Sequence, residues 1–503
     1  MSRFNAKNPT TKRISYEGGT VYSKKVEDDW INFMMTSMMQ PQFYESAEEQ
    51  QVRFLELTAS MLKNYGPEFV AKAAHYSRNM MGMRSISAMT AAILNKESFE
   101  SKRRFFESYF RRPDDVAEVF AAVESLGHKP SHALVRGACT YLSKLDEYRL
   151  GKYKLEGKQY NMYDLINITH AHSGAIDLLK KGNLPVPDTW ETRISACHSN
   201  DEKKAAWIDL VEHDKLGYLA LVRNLRNILQ CDMAADWIRD TLAPRLTNVD
   251  AIKKSMVFPY TIYGAWRMLE DANVDHLMLI KPPLAKAFMI AAGNTPEFKG
   301  ASLAVIDCSG SMRSRVSAKS QISLKDISAV YAAQFWSSIN ENSVSGTEND
   351  LIAFGEKAKR ISVSSGNNIL DLIKTITDSQ VGCATYVDKV YPLVKRHYDR
   401  IFLFSDMQIA DPKSCCLSTM SLGWRRKSTD KDVPTFNQWF ENYQKEFGKS
   451  RVYSFDLANS ANQVIHTDGA ISYMSGLNDK VFQFVEMIER GRSLIQEIQG
   501  YKF

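Results

Sequence analysis

Five oxygen-bearing side chains in the second half of the sequence have the types and spacing to hold a hard metal ion. Asp307-Cys308-Ser309-Gly310-Ser311 sets one carboxylate and two hydroxyls at alternate positions, D-x-S-x-S, and Gly310 permits a tight turn between them. The continuous apolar run Leu303-Ala304-Val305-Ile306 stands directly before it, which predicts a buried parallel strand. Ligands of doubly wound sheets bind at the carboxyl ends of such strands, and this loop would lie there. Thr385, in the loop Gly382-Cys383-Ala384-Thr385, and Asp406, just after a strand at Ile401–Phe404, are predicted to reach the same edge. All five donors are hard oxygens. Mg²⁺ takes such donors octahedrally and keeps positions for water or an exogenous oxygen, so Mg²⁺ or another divalent cation is the expected cofactor. The alternative is structural: Asp307 caps a turn, and Ser309 and Ser311 cap the next helix.

Catalysis has little support in the sequence. An aspartyl-phosphate nucleophile at Asp307 would need a second aspartate two residues on, where Ser309 stands. No G-x-S-x-G elbow, P-loop or paired His/carboxylate motif is present. Cys308 is expected to pack at the strand end, and the chain is expected not to be an enzyme.

A second constellation is basic and aromatic. Lys152, Lys154 and Lys158 alternate with Tyr153 and Tyr160, and His170 ends the next predicted helix. Lysines neutralise phosphates, tyrosine faces stack unpaired bases, and a histidine donates to either. Lys102-Arg103-Arg104 and Arg111-Arg112 form a further basic run that would track phosphates along a helix face. Arg78, Arg84 and Arg136 are added candidates. The competing reading is a solvated surface. Arg223 and Arg226 lie in an apolar helix, where ion pairing is expected.

The elements that must position these groups fall into two kinds. Residues 26–290 read as helix after helix, with about a dozen short apolar periods from Trp30-Ile31-Phe33-Met34 onward. Pro67 opens one helix at a position that needs no donor, and Met80-Met81-Gly82-Met83 reads as helix-end packing. Brief connections between short helices predict paired helices stacked as an α-solenoid. Near Pro296 the pattern changes. Strands are predicted at 303–306, 350–355, 400–404 and 451–455, alternating with helices at 324–339, 368–377, 386–397, 435–446 and 479–491. That alternation predicts a doubly wound parallel sheet, with 414–431 as a polar insertion. The fold class is therefore multidomain, α followed by α/β: an N-terminal tail over 1–15, a helical-repeat domain over 16–296 and a Rossmann-like domain over 297–503.

Composition agrees with a folded chain. The 503 residues are 44% hydrophobic with a net charge of +6, too long for one core and too balanced to mark a nucleic-acid binder by charge alone. The seven cysteines lack any C-x-x-C pair and read as free thiols of a reducing compartment. No signal-peptide stretch opens the chain and no run of 18 apolar residues occurs, so a cytoplasmic location and no membrane association are expected.

The donors Asp307, Ser309, Ser311, Thr385 and Asp406, in that order, resemble the metal-ion-dependent adhesion site of von Willebrand factor A-like domains. That family often has two glycines before the threonine, where Cys383-Ala384 stand here. The helical half resembles the TROVE module of Ro, telomerase-associated and vault-associated proteins, most closely the Ro ribonucleoprotein family in its bacterial or phage type. Gly18-Gly19-Thr20-Val21-Tyr22, the basic Lys152-Tyr153-Lys154 segment leading to Asp164–His170, Leu221-Val222-Arg223-Asn224-Leu225, and the stretch around Pro259 and Ala265 carry that resemblance, as does the order of the two domains. The basic segment is one residue longer than the family pattern, so Gly157 or Lys158 stands where the family has arginine. The resemblance implies a ring of HEAT-type repeats joined by the A-like domain. It implies a ribonucleoprotein with a small noncoding Y-like RNA, and binding of the single-stranded 3′ ends of misfolded or structured RNAs in RNA quality control or processing. It further implies RNA contacts from Lys152, Lys154, Lys158 and His170, a monomer, and no activity of its own; Arg84, Arg111, Arg112 and Arg136 remain RNA-binding candidates read from the residues themselves. A nuclease or another protein is the partner expected at the A-like domain, and a Mg²⁺-dependent adhesion module is the alternative function.

Overall fold

The computed structural model describes residues 12–15, 18–37, 46–153, 155–272, 274–293, 296, 298–316, 320–340, 349–363, 368–409, 436–458, 460, 462–465, 471–475 and 481–503. The insertion expected at 414–431 lies outside these residues. Two short strands, β1 (Lys12–Ile14) and β2 (Thr20–Ser23), come first. Helices follow: α1 (Val26–Thr36), α2 (Ala47–Asn79), α3 (Ser85–Leu94), α4 (Lys102–Tyr109), α5 (Pro113–Ser125), α6 (His132–Leu142), α7 (Glu147–Lys152), α8 (Met162–Thr169), α9 (Gly174–Lys180), α10 (Trp190–Ser195), α11 (Asn200–Glu212), α12 (Tyr218–Leu229), α13 (Ala235–Trp237), α14 (Ala243–Leu246), α15 (Val249–Ser255), α16 (Pro259–Ala272) and α17 (Leu277–Ala292). Strands and helices then alternate through β3 (Ser302–Asp307), α18 (Leu324–Asn340), β4 (Asn349–Phe354), β5 (Ala358–Arg360), α19 (Ile369–Thr377), β6 (Arg400–Ser405), α20 (Phe436–Phe447), β7 (Arg451–Asp456), β8 (Asn462–Gln463), β9 (Ile471–Ser475), α21 (Val481–Glu489) and α22 (Leu494–Gly500).

The chain divides into two compact units. The first joins Gly217–Glu486 to the N-terminal stretch up to Asn32, and the second joins Gln50–Leu216 to Phe33–Met39 and Met487–Phe503. In the second unit α3 packs on α5, α4 on α6, α6 on α8 and α7 on α9. Each helix meeting the next but one is the contact pattern of stacked helical pairs. Local chemistry sets the helix ends. Pro113 starts α5, the side chains of Ser131, Asn161, Ser173 and Ser199 cap α6, α8, α9 and α11, and His170 closes α8 in the left-handed conformation. Gly66, at φ 81°, breaks α2 immediately before Pro67, so the helix restarts where proline costs no hydrogen bond.

The first unit is built on a six-stranded sheet of order β5-β4-β3-β6-β7-β9, parallel except for the edge strand β5. Period-two alternation sends Leu303, Val305, Ile401 and Leu403 to a core with Val387, Val390, Trp439, Phe440 and Tyr443. The other face buries Phe402 and Phe404 against Tyr331 and Phe335 of α18 and Phe482 of α21. Both faces are covered, as a parallel sheet requires. Within this unit the last helices of the helical half dock on α18 and α19: Tyr263 Oη donates to Asp326 at 2.9 Å, and Lys281 Nζ to Asp371 at 2.5 Å. A small antiparallel sheet, β1-β2-β8, ties the N-terminal hairpin to this unit. The helix expected over 386–397 is instead two 3-10 turns, Val387–Lys389 and Tyr391–Leu393. Pro392 withholds a donor there, and Val387, Val390 and Val394 are all buried.

Candidate functional site

At the carboxyl ends of β3 and β6 the predicted oxygen donors form a buried cluster. Asp307, the last residue of β3, is fully buried, and Ser309, Thr385 and Asp406 are at most 1% exposed. Asp307 Oδ1 accepts the Ser309 backbone N–H at 2.9 Å, and Asp307 Oδ2 accepts the Ser405 hydroxyl at 2.6 Å. The Ser309 and Ser311 hydroxyls lie 3.4 Å apart, and Ser311 also hydrogen-bonds the Asp406 carboxylate. Met407 adopts a left-handed φ of 60°, and this turns the chain so that the Gln408 N–H reaches Asp406 Oδ1 at 3.1 Å. Burial first, and the Asp307 charge next, push the Asp406 carboxyl up to about 8.

The loop holding Thr385 is joined to this cluster through the backbone, since the Gly310 N–H donates to the Cys383 carbonyl at 2.7 Å. Gly310 has an ordinary φ of −64°. Its glycine requirement is therefore close approach, because a Cβ would sit 3.2 Å from that carbonyl. Two carboxylates and the Ser309 and Ser311 hydroxyls converge on one edge, with Thr385 buried in the adjoining loop, a set that suits a divalent hard cation. Among the described residues no cluster of three or more His, Cys, Asp or Glu side chains that could hold a metal ion occurs. Cys308 packs away from the cluster, its Sγ 3.7 Å from the Ile376 carbonyl, and burial raises its thiol to about 11.

In the second unit the structure gathers part of the basic set around the start of α5. Buried Asp115 accepts the backbone N–H of Arg111 at 3.0 Å and of Arg112 at 2.9 Å, and pairs with Arg78 at 2.8 Å. Arg78 is 7% exposed, so the candidate phosphate contact is corrected to a buried ion pair. Arg84, Arg111 and Arg112 are exposed; Arg84 pairs with Asp114, Arg112 with Asp114 at 3.0 Å, and Arg111 Nε donates to Asn79. The Arg112 guanidinium lies 5.4 Å over the Tyr153 ring, and Lys152 Nζ lies 5.6 Å over the Tyr148 ring. Lys158, His170 and Arg136 are exposed on the same unit, whereas Lys154 lies outside the described residues. Tyr160 is tied down by donating to Glu124 at 2.7 Å, which raises its phenol to about 12. Lys102 donates to the carbonyls of Asn95 and Glu97, both at 2.7 Å, and Arg103 pairs with Glu107 at 2.8 Å. In the first unit the ion pairs expected of Arg223 and Arg226 are not found among the described residues: Arg223 is exposed and Arg226 Nε is buried without a hydrogen-bond partner. Sequence reasoning missed Tyr148 and Asp115. Asp115 had a signal, an acidic residue in the first turn of a helix that opens on proline.

The model of the TROVE domain family matches residues 157–277. Telomerase protein component 1 of Mus musculus is 21% identical over 298 residues, 41% of this chain, and its Rattus norvegicus counterpart is 21% identical over 303 residues, 42% of this chain. This chain spans only 11% of the length of either relative. The fold of this chain is similar to that of the Ro (RSR) protein of Deinococcus radiodurans, with a TM-score of 0.60 at 13% identity over 90% of this chain and 97% of that one. Among the described residues no helix is long and apolar enough to cross a membrane.

Proposed function

We propose that this chain is an RNA-binding scaffold of the Ro type, without catalytic activity of its own. It would act in the cytoplasm as a monomer on a small noncoding Y-like RNA and on the single-stranded 3′ ends of misfolded or structured RNAs. The observation that carries the reading is the exposed group around α5. Arg84, Arg111 and Arg112 stand with Tyr153 against the Arg112 guanidinium and with Lys152 over Tyr148. Guanidinium and ammonium groups neutralise phosphates, and planar faces beside them stack splayed bases. Lys158, His170 and Arg136 belong to the same reading, as does closure of the helical repeat into a ring. Filter-binding titrations test it by comparing a stem-loop RNA bearing a single-stranded 3′ tail with a blunt duplex of equal length. Tighter, salt-sensitive binding of the tailed RNA is expected; equal affinity for both would remove the 3′-end reading.

The cluster at β3 and β6 favours a second, compatible role. In this reading the sheet is a von Willebrand factor A-like domain, and Asp307, Ser309, Ser311, Thr385 and Asp406 hold Mg²⁺ or another divalent cation. When bound, the cation supplies a coordination position that a partner's Asp or Glu completes, and a nuclease is one candidate partner. Asp307 and Asp406 provide the charge, the Ser309 and Ser311 hydroxyls orient on the same edge, and the left-handed Met407 keeps Asp406 aimed at them. Asp307→Ala is expected to abolish metal-dependent capture of partner proteins while leaving RNA affinity intact. Loss of RNA binding in that variant would contradict this division of labour.

A further inference from the structure

Beside the oxygen cluster the first unit buries a second pair of charges that no metal ligand set requires. Asp456 ends β7, and in the parallel register of β6 and β7 it stands opposite Ser405, whose hydroxyl donates to Asp307 at 2.6 Å. Lys24 reaches Asp456 Oδ2 at 2.6 Å, with the two side chains 1% and 2% exposed. The ammonium also donates to the Ser460 carbonyl at 2.6 Å, and the Ser460 hydroxyl donates to Asp456 Oδ2 at 3.0 Å. Asp456 Oδ1 is buried with no hydrogen-bond partner. Burying an ion pair this completely carries a desolvation cost that its own attraction does not reliably offset, so its place next to the cluster calls for a reason.

Lys24 is also the end of an anchored hairpin. The Ser15 hydroxyl donates to the Ile409 carbonyl at 2.5 Å, and the Gly19 N–H to the same oxygen at 2.9 Å. β2 pairs with β8 through Tyr22 with Gln463 and Ser23 with Asn462. The hairpin thus grips the chain just after Asp406 and just after Asp456, the two segments that leave the sheet at the cluster. With Asp406 held as a carboxylate by a bound cation, Asp307, Asp406 and Asp456 with Lys24 leave two negative charges on this edge, the charge of one divalent ion.

We propose that the N-terminal hairpin is a strap coupled to the divalent-cation site, with Lys24 the internal counter-charge that matches the edge to a divalent ion and Asp456 its positioning partner. The proposal rests on the metal reading above. The strap holds the exits of β6 and β7, so Asp406 stays within reach of Ser311. Cation binding and strap closure then favour each other, since such coupling is reciprocal.

Mn²⁺ titrations followed by electron paramagnetic resonance test the charge match on the full chain. Asp456→Asn removes one negative charge from this edge while Lys24 keeps its positive one, and is expected to weaken Mn²⁺ binding about ten-fold or more. The double variant Lys24→Met/Asp456→Asn again leaves two negative charges and is expected to bind within about three-fold of the unaltered chain. Equal affinity of Asp456→Asn and the unaltered chain overturns the strap proposal, as does a double variant as weak as the single one. An unaltered chain that binds no Mn²⁺ instead overturns the metal reading itself. Hydrogen exchange of the β2 amides gives a readout without substitution, so it stands even if Asp456→Asn fails to fold: Mg²⁺ is expected to slow exchange at Val21–Ser23 several-fold, and unchanged exchange there with Mg²⁺ bound refutes the coupling.

Discussion

His75 lies between two aromatic rings of its unit, with the Phe503 ring stacked 5.1 Å away and the Phe105 ring edge-on at 6.4 Å. Its Nδ1 is 2.9 Å from the Tyr501 hydroxyl and its Nε2 3.2 Å from the Ser108 carbonyl. Burial lowers its pKa to about 4, the Arg111 charge lowering it further while the Ser108 carbonyl partly opposes both. The folded imidazole therefore stays neutral down to about pH 4, while the unfolded chain takes up a proton near pH 6.5. Its contribution to stability is present above pH 6.5 and is lost as pH falls from there toward 4. Melting curves of the unaltered chain and of His75→Gln are expected to converge over that window, at up to about 1.4 kcal/mol per pH unit; curves that stay parallel would disprove the assignment. The same scale shows what sequence could reveal about the site. Asp307, Ser309 and Ser311 are spaced within one loop and were readable. Lys24 and Asp456 are 432 residues apart, and nothing local distinguishes Lys24 from a solvated lysine. Arg78 resembled the exposed arginines because its partner, Asp115, is 37 residues away.

Helices with long apolar periods were legible as elements, and so were the strands β3, β4, β6 and β7, whose continuous apolar runs reflect burial on both faces. Elements with less internal pattern were not. α7 and α10 have six residues each, less than two turns of period. β5 and β8 exist only through their partners. Between α13 and α14 the chain makes a π-turn over Ile238–Leu242, just before Pro244. A proline cannot donate within a helix and crowds the preceding turn, and a wider turn accommodates it. α4 and α6 cross so closely that a Cβ on Gly137 would lie 2.5 Å from the Phe106 carbonyl carbon. Backbone has no rotamer by which to yield, so Gly137→Ala is expected to destabilise the second unit by about 1–3 kcal/mol despite the better helix propensity of alanine. Chemical denaturation checks this; an unchanged or raised midpoint would show that the two helices can part at little cost.

For the molecule as a whole, the proposed roles fall in different compact units, and this separates their expected responses. Removing one phosphate-neutralising cation, as in Arg112→Ala or Lys152→Ala, is expected to lower the slope of log K against log salt by about 1 each, with no effect on Mn²⁺ affinity. All five oxygen donors lie within the unit that contains Gly217–Glu486. A divalent ion at about a hundred times its Kd is expected to stabilise that unit by about 2.7 kcal/mol. Hydrogen exchange should then slow in β3 and β6 and remain unchanged in α3 to α8. Uniform slowing across both units would mean that the cation acts elsewhere.

The contacts around His75 also set when this part of the chain can finish folding during synthesis. Lys72 donates to the Gln499 carbonyl at 2.6 Å, Tyr76 meets Tyr501 edge-on at 5.1 Å, and Phe503 lies edge-on against Phe105 at 5.7 Å. Tyr501 is 426 residues beyond its partner His75. At translation rates of about 5–20 residues per second, the site around His75 waits roughly 20–90 s for the segment that fills it. During that interval Tyr76, His75 and Phe105 present a sticky aromatic face on the nascent chain, a natural substrate for a chaperone and a hazard in its absence.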